Sequence, residues 1–221
     1  MARIIDSSGK FSSREVVINS TLKNTYLLLS MTLLFSAAMA GVSMAMNWPY
    51  FGMIPTLVGY FGLLFLTSKF SNSALGLVFV FALTGFMGVT LGPILSLYIH
   101  SIPNGGSIIM QAMGGTAVIF IALSAYAVIT RKDFSFMGGM LMTGIIVAFL
   151  LGVGAIFFKM PMLSLAVSAM FILLMSGLIL YQTSAIVHGG ETNYINATVT
   201  LFVSIFNLFT SLLHILGIMD D

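Results

Sequence analysis

The sequence predicts an all-α integral membrane protein, a bundle of seven transmembrane helices with its N-terminus inside and its C-terminus outside. Three observations support this prediction: the composition, the spacing of the charged residues and the placement of the basic ones. Of the 221 residues, 59% are hydrophobic and only 6% are charged, against about 25% charged in a soluble domain. Such a chain cannot cover a water-facing surface, so its solvent is lipid. The net charge of +2 comes from few groups and does not indicate nucleic-acid binding.

The charged residues divide the chain into apolar runs, each near the ~20 residues with which a helix crosses a bilayer. Backbone amides in lipid must be satisfied within the segment, and these runs do not alternate, so helices are favoured over barrel strands. The predicted spans are residues 26–46, 51–68, 74–99, 107–130, 134–157, 162–187 and 197–217. They form one domain, 26–221. Residues 1–25 are too short to bury a core and are expected to form a flexible cytoplasmic tail.

Short polar connections separate the spans. In order they read "NWPY", "KFSNS", "SIPNGG", "RKDF", "KMPM" and "HGGETNYIN". With the N-terminus inside, the inner segments hold seven basic residues: Arg3, Lys10, Arg14, Lys23, Lys69, Arg131 and Lys132. The outer segments hold only Lys159. The excess of basic residues on one side predicts the N-in, C-out orientation by the positive-inside rule.

The third span contains "TGFMGVTLGPILSLYIH". Gly88 and Gly92 form a GxxxG pair, which permits close approach of another helix. Pro93 lacks an N–H, so it frees a backbone carbonyl and bends the helix. Plain packing is the favoured interpretation, and a kink that lets the bundle open and close is the alternative.

The seventh span carries a polar stripe. Its members, spaced at i, i+4, i+7, i+11 and i+14, are Thr200, Ser204, Asn207, Ser211 and His214. At ~100° per residue these side chains share one face of a helix. The favoured interpretation is interhelical hydrogen bonding. A water-lined cavity or ion path is the alternative.

The sixth span adds five polar residues: Ser164, Ser168, Gln182, Thr183 and Ser184. Gln182 follows Ser168 by fourteen residues, which puts the two on nearly the same face, and a glutamine in a span is expected to point at a neighbouring helix. In "HGGETN", the glycines predict a turn. We expect His188, Glu191 and Asn193 to lie at the cytoplasmic surface, where a partner could bind.

Deep within the predicted spans there is no Asp, Glu, Lys or Arg. This argues against relays of charged residues, against hard-cation ligands and against acid–base catalysis. We therefore expect no enzymatic activity, no metal site and no cofactor.

The stretches "LGPILSLYI", "RKDFSFMGGML" and "HGGETNYINATVTLFVSIFNLFTSLLHILG" together resemble the Bax inhibitor (transmembrane Bax-inhibitor-motif) family, in its bacterial YccA-like branch. The resemblance extends over nearly the whole chain. It implies a seven-helix bundle whose last helix is central and surrounded by the other six. It also implies a bacterial inner-membrane location and, as partners, the membrane-anchored AAA+ protease FtsH, which such proteins restrain, and the HflK–HflC complex.

Other members of the family act as pH-sensitive calcium leaks that use paired aspartates on the sixth and seventh helices. Matching "YQTS" and "FVSIFN" to those helices places Gln182 and Ser204 at the acidic positions. An amide and a hydroxyl do not lose protons near neutral pH and make a poor calcium site. A modulator of FtsH is therefore the first hypothesis, and a calcium or cation leak is the alternative.

Overall fold

The computed structural model describes the backbone of residues 5–219 and the side chains of residues 16–219. Within this range the chain forms seven α-helices and one 3₁₀ turn, Ser135–Met137. The helices are α1 (Ile5–Ala45), α2 (Met53–Lys69), α3 (Ala74–Ser101), α4 (Gly105–Thr130), α5 (Gly138–Phe157), α6 (Pro161–Val187) and α7 (Tyr194–Met219). Six of them are long and apolar enough to cross a membrane, and α2 is a shorter apolar helix of 17 residues.

The helix ends follow the predicted spans within a few residues, with one exception. The exception is the start of α1, which lies at Ile5 rather than near residue 26. The backbone from residue 5 to 25 is therefore helical, which differs from the expected flexible tail, and residues 1–4 lie outside the described residues. A candidate membrane span lies within Val16–Ala45, and the helix itself starts earlier, at Ile5.

The length of α1 exceeds the thickness of a bilayer. Its 41 residues correspond to about 61 Å at 1.5 Å per residue, whereas the hydrocarbon core is only ~30 Å thick. About half of α1 therefore stands outside the hydrocarbon. Thr21 is buried and its hydroxyl donates to the carbonyl oxygen of Thr192 at 3.3 Å, so this helix contacts the loop before α7 as it leaves the bundle.

The last helix, α7, occupies the middle of the bundle. It packs against α1, α2, α3, α4 and α6, and it provides Leu201, Phe202 and Leu208 to the largest core cluster. The remaining helix, α5, packs against α6 and the 3₁₀ turn but makes no backbone contact with α7 in the described structure. The expected arrangement of six surrounding helices is therefore reduced to five, because α6 stands between α5 and the centre.

Two ends of the bundle can be distinguished by their connections. The basic end carries Lys69, Arg131, Lys132 and the loop His188–Asn193. Hydrogen bonds join the end of α6 and this loop to the α4–α5 and α2–α3 connections. The opposite end carries the α1–α2 connection, the α3–α4 connection and the α5–α6 turn with Lys159. Left-handed backbone closes helices at both ends, at Arg131 (φ 49°) and Gly189 (φ 72°) on the basic end and at Lys159 (φ 51°) on the opposite one.

Candidate functional site

The predicted polar stripe on α7 divides into two halves with different surroundings. Toward the basic end, Ser204 is fully buried, and its hydroxyl donates at 2.7 Å to the carbonyl oxygen of Thr200 in the same helix. Such a back-bond satisfies the hydroxyl proton locally. Ser204 is therefore packed into the bundle, and Thr200 is half-buried.

Toward the opposite end, the stripe lines a cavity of about 360 Å³ between α2, α5, α6 and α7. The lining residues from α7 are Asn207, Thr210, Ser211 and His214. The facing wall is largely apolar and includes Phe149 of α5 and Phe171 of α6. Ser204 is thus buried in the bundle, whereas the later members of the stripe line the cavity.

A hydrogen-bonded pair connects α6 and α7 beside this cavity. Ser168 Oγ lies 2.8 Å from His214 Nδ1, and the same hydroxyl is 3.1 Å from the carbonyl oxygen of Ser164. If Ser168 donates to that carbonyl, it accepts from His214 Nδ1–H, which leaves Nε2 as an acceptor. Ser168 and Gln182 were predicted to lie on nearly the same face of the sixth helix. Ser168 lines the cavity and Gln182 does not, so the two side chains do not belong to one site.

Gln182 is a buried amide with an unsatisfied donor. The side chain is only 5% exposed, and its Nε2 has no hydrogen-bond partner in the described structure. No hydrogen bond joins it to Ser204 among the described residues. Leaving a buried donor unpaired costs about 1–3 kcal/mol, so Gln182 marks a weak point in the packing of α6.

The glycines of α3 permit close contact with α1. A Cβ added to Gly88 would collide with the carbonyl oxygen of Ser36, and one added to Gly92 would lie 2.5 Å from the hydroxyl of Ser43. The helix that lies against the GxxxG pair is α1.

Pro93 lies inside α3, which continues through it. Because proline has no N–H, the carbonyl of Val89, four residues earlier, loses its usual donor. Ser43 of α1 donates to that oxygen at 2.9 Å. The carbonyl that Pro93 frees thus serves as a contact between two helices.

His188 and the buried Ser184 hold the α4–α5 connection against the end of α6. Ser184 Oγ donates to the carbonyl oxygen of Lys132 at 3.0 Å and accepts the N–H of Phe134 at 3.1 Å. The ring of His188 lies with Nδ1 2.9 Å from the Ser184 carbonyl oxygen and Nε2 3.0 Å from that of Arg131. His188 is therefore engaged in internal contacts rather than presented freely on the surface.

Asn193 caps α7. Its Oδ1 accepts the backbone N–H groups of Ile195 at 2.9 Å and Asn196 at 3.1 Å, the pattern of an N-cap residue. Its Nδ2 donates to the carbonyl oxygen of Ser71 at 3.2 Å and to Asn72 Oδ1 at 2.8 Å. One side chain thus starts the central helix and fastens it to the α2–α3 connection.

Glu191 accepts the N–H of Asn193 through Oε1 at 2.7 Å. Exposed side chains at this end include Lys69, Arg131, Lys132, Asp133 and Thr192. Asp133 accepts the N–H of Ser135 at 2.8 Å. This bond, with the Ser135 hydroxyl and the nearby His188, holds the pKa of the Asp133 carboxyl below its usual value.

Sequence reasoning missed Ser43 and gave no specific role to Ser184, a polar residue of the sixth span; both bond to backbone groups of other helices or connections. The position four residues before Pro93 does signal a free carbonyl at Val89, but nothing in the sequence indicates which hydroxyl reaches it. Among the described residues, no group of three His, Cys, Asp or Glu side chains lies close enough to hold a metal ion.

Comparisons with known proteins agree with this architecture. Residues 18–221 match the family model described as "Inhibitor of apoptosis-promoting Bax1". The chain is 52% identical to "Modulator of FtsH protease YccA" of Escherichia coli K12, over 98% of both chains. It is 54% identical to an uncharacterized protein of Pseudomonas aeruginosa, over 96% of this chain and 94% of the other.

A relative from another Escherichia coli strain, also 52% identical over 98% of both chains, bears the name "Inner membrane protein YccA". A 46% identical relative in Vibrio cholerae is called an uncharacterized membrane protein. With its apolar helices, the chain is a multi-pass protein of the bacterial inner membrane. The resemblance found in its sequence motifs is confirmed: the chain belongs to the Bax inhibitor family.

Proposed function

We propose that this protein is a multi-pass regulator that binds and restrains the membrane AAA+ protease FtsH. The observation that carries the proposal is the 52% identity, over 98% of both chains, to a protein named as a modulator of that protease. The HflK–HflC complex is a further proposed partner. A binding role of this kind requires no catalytic residues.

The proposed orientation places the basic end in the cytoplasm and the C-terminus outside. Of the described side chains, Lys23, Lys69, Arg131 and Lys132 lie in or next to this end, and Lys159 lies at the opposite one. This distribution supports the N-in, C-out arrangement by the positive-inside rule. The polar start of α1 and the exposed residues Arg131–Asp133 would then face the ATPase part of the protease.

The partner surface at this end differs from the one that the sequence indicated. His188 and Asn193 remain candidates, yet their polar atoms are engaged in internal hydrogen bonds. The side chains of Arg131 and Lys132 are exposed and their backbone carbonyls accept internal hydrogen bonds. The Lys132 ammonium also lies 5.7 Å from the centroid of the Tyr126 ring. We therefore place the main contact on these two basic side chains.

The first experiment is a pull-down of the tagged protein from bacterial membranes in mild detergent, followed by mass spectrometry. Recovery of FtsH with HflK and HflC, and their loss with an unrelated membrane protein, is the expected result. The double variant Arg131→Ala/Lys132→Ala should recover several-fold less FtsH, whereas Lys159→Ala at the opposite end should recover the normal amount. Absence of FtsH from the wild-type sample would contradict the proposal.

The start of α1 is proposed as the handle by which the protease degrades this protein. Deleting residues 2–15 removes the polar start and keeps residues 16–45, which contain the predicted first span 26–46 almost entirely, and the bond from Thr21. The deletion should abolish degradation by FtsH without lowering its recovery in the pull-down. A Gly-Ser segment of equal length in place of residues 2–15 distinguishes a need for length from a need for sequence, and unchanged turnover of the deletion would refute the handle.

A second candidate function is a calcium or cation leak, and the cavity beside α7 is the observation that favours it. Against calcium, Gln182 and Ser204 offer no carboxylate. If the protein is a leak, the wild type should show measurable calcium flux in liposomes. The double variant Gln182→Asp/Ser204→Asp should then show a higher flux that depends on pH. Silent wild-type liposomes would count against this function.

A further inference from the structure

The second helix is much shorter than the helix beside it. α2 has 17 residues, which correspond to about 25 Å at 1.5 Å per residue. α3, which packs against α2, has 28 residues, or about 42 Å. Since the hydrocarbon core of a bilayer is ~30 Å thick, α3 is longer than the core, whereas α2 falls short of it by about 5 Å.

The backbone at the start of α2 is not satisfied by the protein. Residues 48–52, which precede the helix, have no regular secondary structure. Five consecutive N–H groups make no hydrogen bond in the described structure: those of Tyr50, Phe51, Gly52, Met53 and Ile54. Unpaired backbone N–H groups are too costly to place in hydrocarbon. Water or lipid headgroups therefore reach this segment.

The other end of α2 is set by a charge. Lys69 is the last residue of the helix, and its side chain is exposed. Its ammonium lies 6.0 Å from the centroid of the Phe65 ring, one turn back along the helix. In this conformation the lysine does not extend its charge away from the helix toward more distant water. Headgroups or water therefore solvate the last turn of α2 as well.

Between these two ends, α2 presents an apolar face to the outside of the bundle. Its large exposed side chains are spaced at i, i+4, i+7 and i+11, which places them on one side of the helix. They are Ile54, Val58, Phe61 and Phe65, and they are between 48% and 72% exposed. Lys69 follows Phe65 by four residues and ends this face.

Neither a shift nor a tilt of α2 removes the shortfall in length. A shift along the membrane normal moves one polar end out of the hydrocarbon only by moving the other end in. A tilt shortens the projection of the helix on the normal still further. The bilayer next to α2 therefore adapts to the helix, and thinning is one way in which a bilayer accommodates a short span.

We propose that the exposed face of α2 is a membrane-thinning surface, whose partner is phospholipid with short acyl chains. The hydrocarbon at this surface is about 25 Å thick instead of ~30 Å. The exposed aromatic residues Trp48, Tyr50 and Phe51 lie at its boundary, where such side chains are favoured. A locally thin bilayer also favours other short spans nearby, because sharing the deformation lowers its cost. This property is independent of any protease.

The one tryptophan of the chain, Trp48, reports on the lipid beside the start of α2. The purified protein is reconstituted into mixtures of brominated dioleoylphosphatidylcholine, which quenches tryptophan, and a test phosphatidylcholine with shorter or longer chains. Displacement of the brominated lipid restores the fluorescence and gives the relative binding constant of the test lipid. Two further probes are made in the background Trp48→Phe. Ile54→Trp lies on the same face of α2, and Met110→Trp replaces a 74% exposed residue near the start of the 26-residue α4, at the same end of the bundle.

At Trp48 and at Ile54→Trp, dimyristoleoylphosphatidylcholine should bind about two- to fivefold more strongly than dierucoylphosphatidylcholine, since the cost of mismatch grows with each Å. At Met110→Trp the longer lipid should bind equally or more strongly, because α4 is about 39 Å long. Inserting Leu-Val-Leu-Leu after Leu64 adds about 6 Å to α2 and should remove the preference for the shorter lipid at Ile54→Trp.

Three results would overturn the proposal: equal chain-length preference at Ile54→Trp and Met110→Trp, a preference for the dierucoyl lipid at Trp48, or no quenching of Ile54→Trp by the brominated lipid. The last result would mean that a second copy of the chain, rather than lipid, covers α2. The comparison between probes uses the native length of α2, so it tests the proposal even if the lengthened variant fails to fold.

Discussion

The contact between Ser43 and the carbonyl that Pro93 frees offers a sharp test of how α1 and α3 are held together. Ser43 is 1% exposed and Val89 is 7% exposed, and their hydrogen bond is 2.9 Å long. Replacing Ser43 by Ala removes the donor and leaves the carbonyl oxygen of Val89 unpaired. An unsatisfied buried group costs about 1–3 kcal/mol, whereas hydrogen bonds between membrane helices average ~0.6 kcal/mol and reach ~1.7 kcal/mol.

We therefore expect Ser43→Ala to lower the free energy of unfolding by about 1–2 kcal/mol. In the variant Pro93→Ala, the new backbone N–H can donate to the same oxygen, so the loss of Ser43 should cost only about 0.5 kcal/mol or less. The coupling between the two positions in a double-mutant cycle should be about 1 kcal/mol.

The free energy of unfolding can be measured by titrating mixed micelles with sodium dodecyl sulfate. Trp48, the only tryptophan of the sequence, lies just after α1 and reports on the transition. Ser30→Ala is the control, since Ser30 is exposed and donates only within α1, to Leu27. A coupling within the ~0.3–0.5 kcal/mol expected of independent sites would refute the assignment of Ser43 as the partner of that carbonyl.

Three further predictions concern packing, capping and pH. Gly88→Ala should destabilise the bundle by about 1–3 kcal/mol because its Cβ meets backbone of α1, whereas Gly106→Ala, with open space around it, should be neutral or stabilising; equal effects in sodium dodecyl sulfate titrations would contradict this. Asn193→Ala should cost about 1–2 kcal/mol through loss of the cap, and Asn193→Asp should cost less in the same assay because it keeps the acceptor and loses only the bridge to the α2–α3 connection. The pKa of Asp133 is lowered in the folded state, so its ionised form stabilises the α4–α5 connection above the ordinary pKa, ~3.9, and this contribution is lost as pH falls through the lowered value. Amide exchange near residue 133 should therefore show an acid-induced loosening in the wild type that is absent from Asp133→Asn.

Much of the fold was predictable because charge and apolar length determine where helices can cross a membrane. The ends of α2 to α7 follow from this rule, and so does the close contact at Gly88 and Gly92, since small residues spaced by four permit backbones to approach. The start of α1 did not follow, because hydropathy reports the lipid boundary and a helix can continue past it in polar sequence.

The candidate site was predictable only as a face of α7. The sequence places Asn207, Ser211 and His214 on one side of the helix, but whether a neighbour covers that side depends on how the helices are arranged. Here α6 keeps α5 away from α7, and this separation creates the cavity. The same limit applies to His188, whose contacts with the α4–α5 connection depend on loops that are distant in sequence.

The connections at the two ends of the bundle are held unequally. At the basic end, hydrogen bonds fasten the α2–α3 connection, the α4–α5 connection and the α6–α7 loop to one another or to a neighbouring helix. At the opposite end, none of the three connections forms a hydrogen bond to a helix other than the two it joins, within the described residues. Helices are therefore less restrained against sideways movement at the opposite end than at the basic end. Movement of α2 and α5 apart at that end would widen the mouth of the cavity, while the basic end keeps its shape.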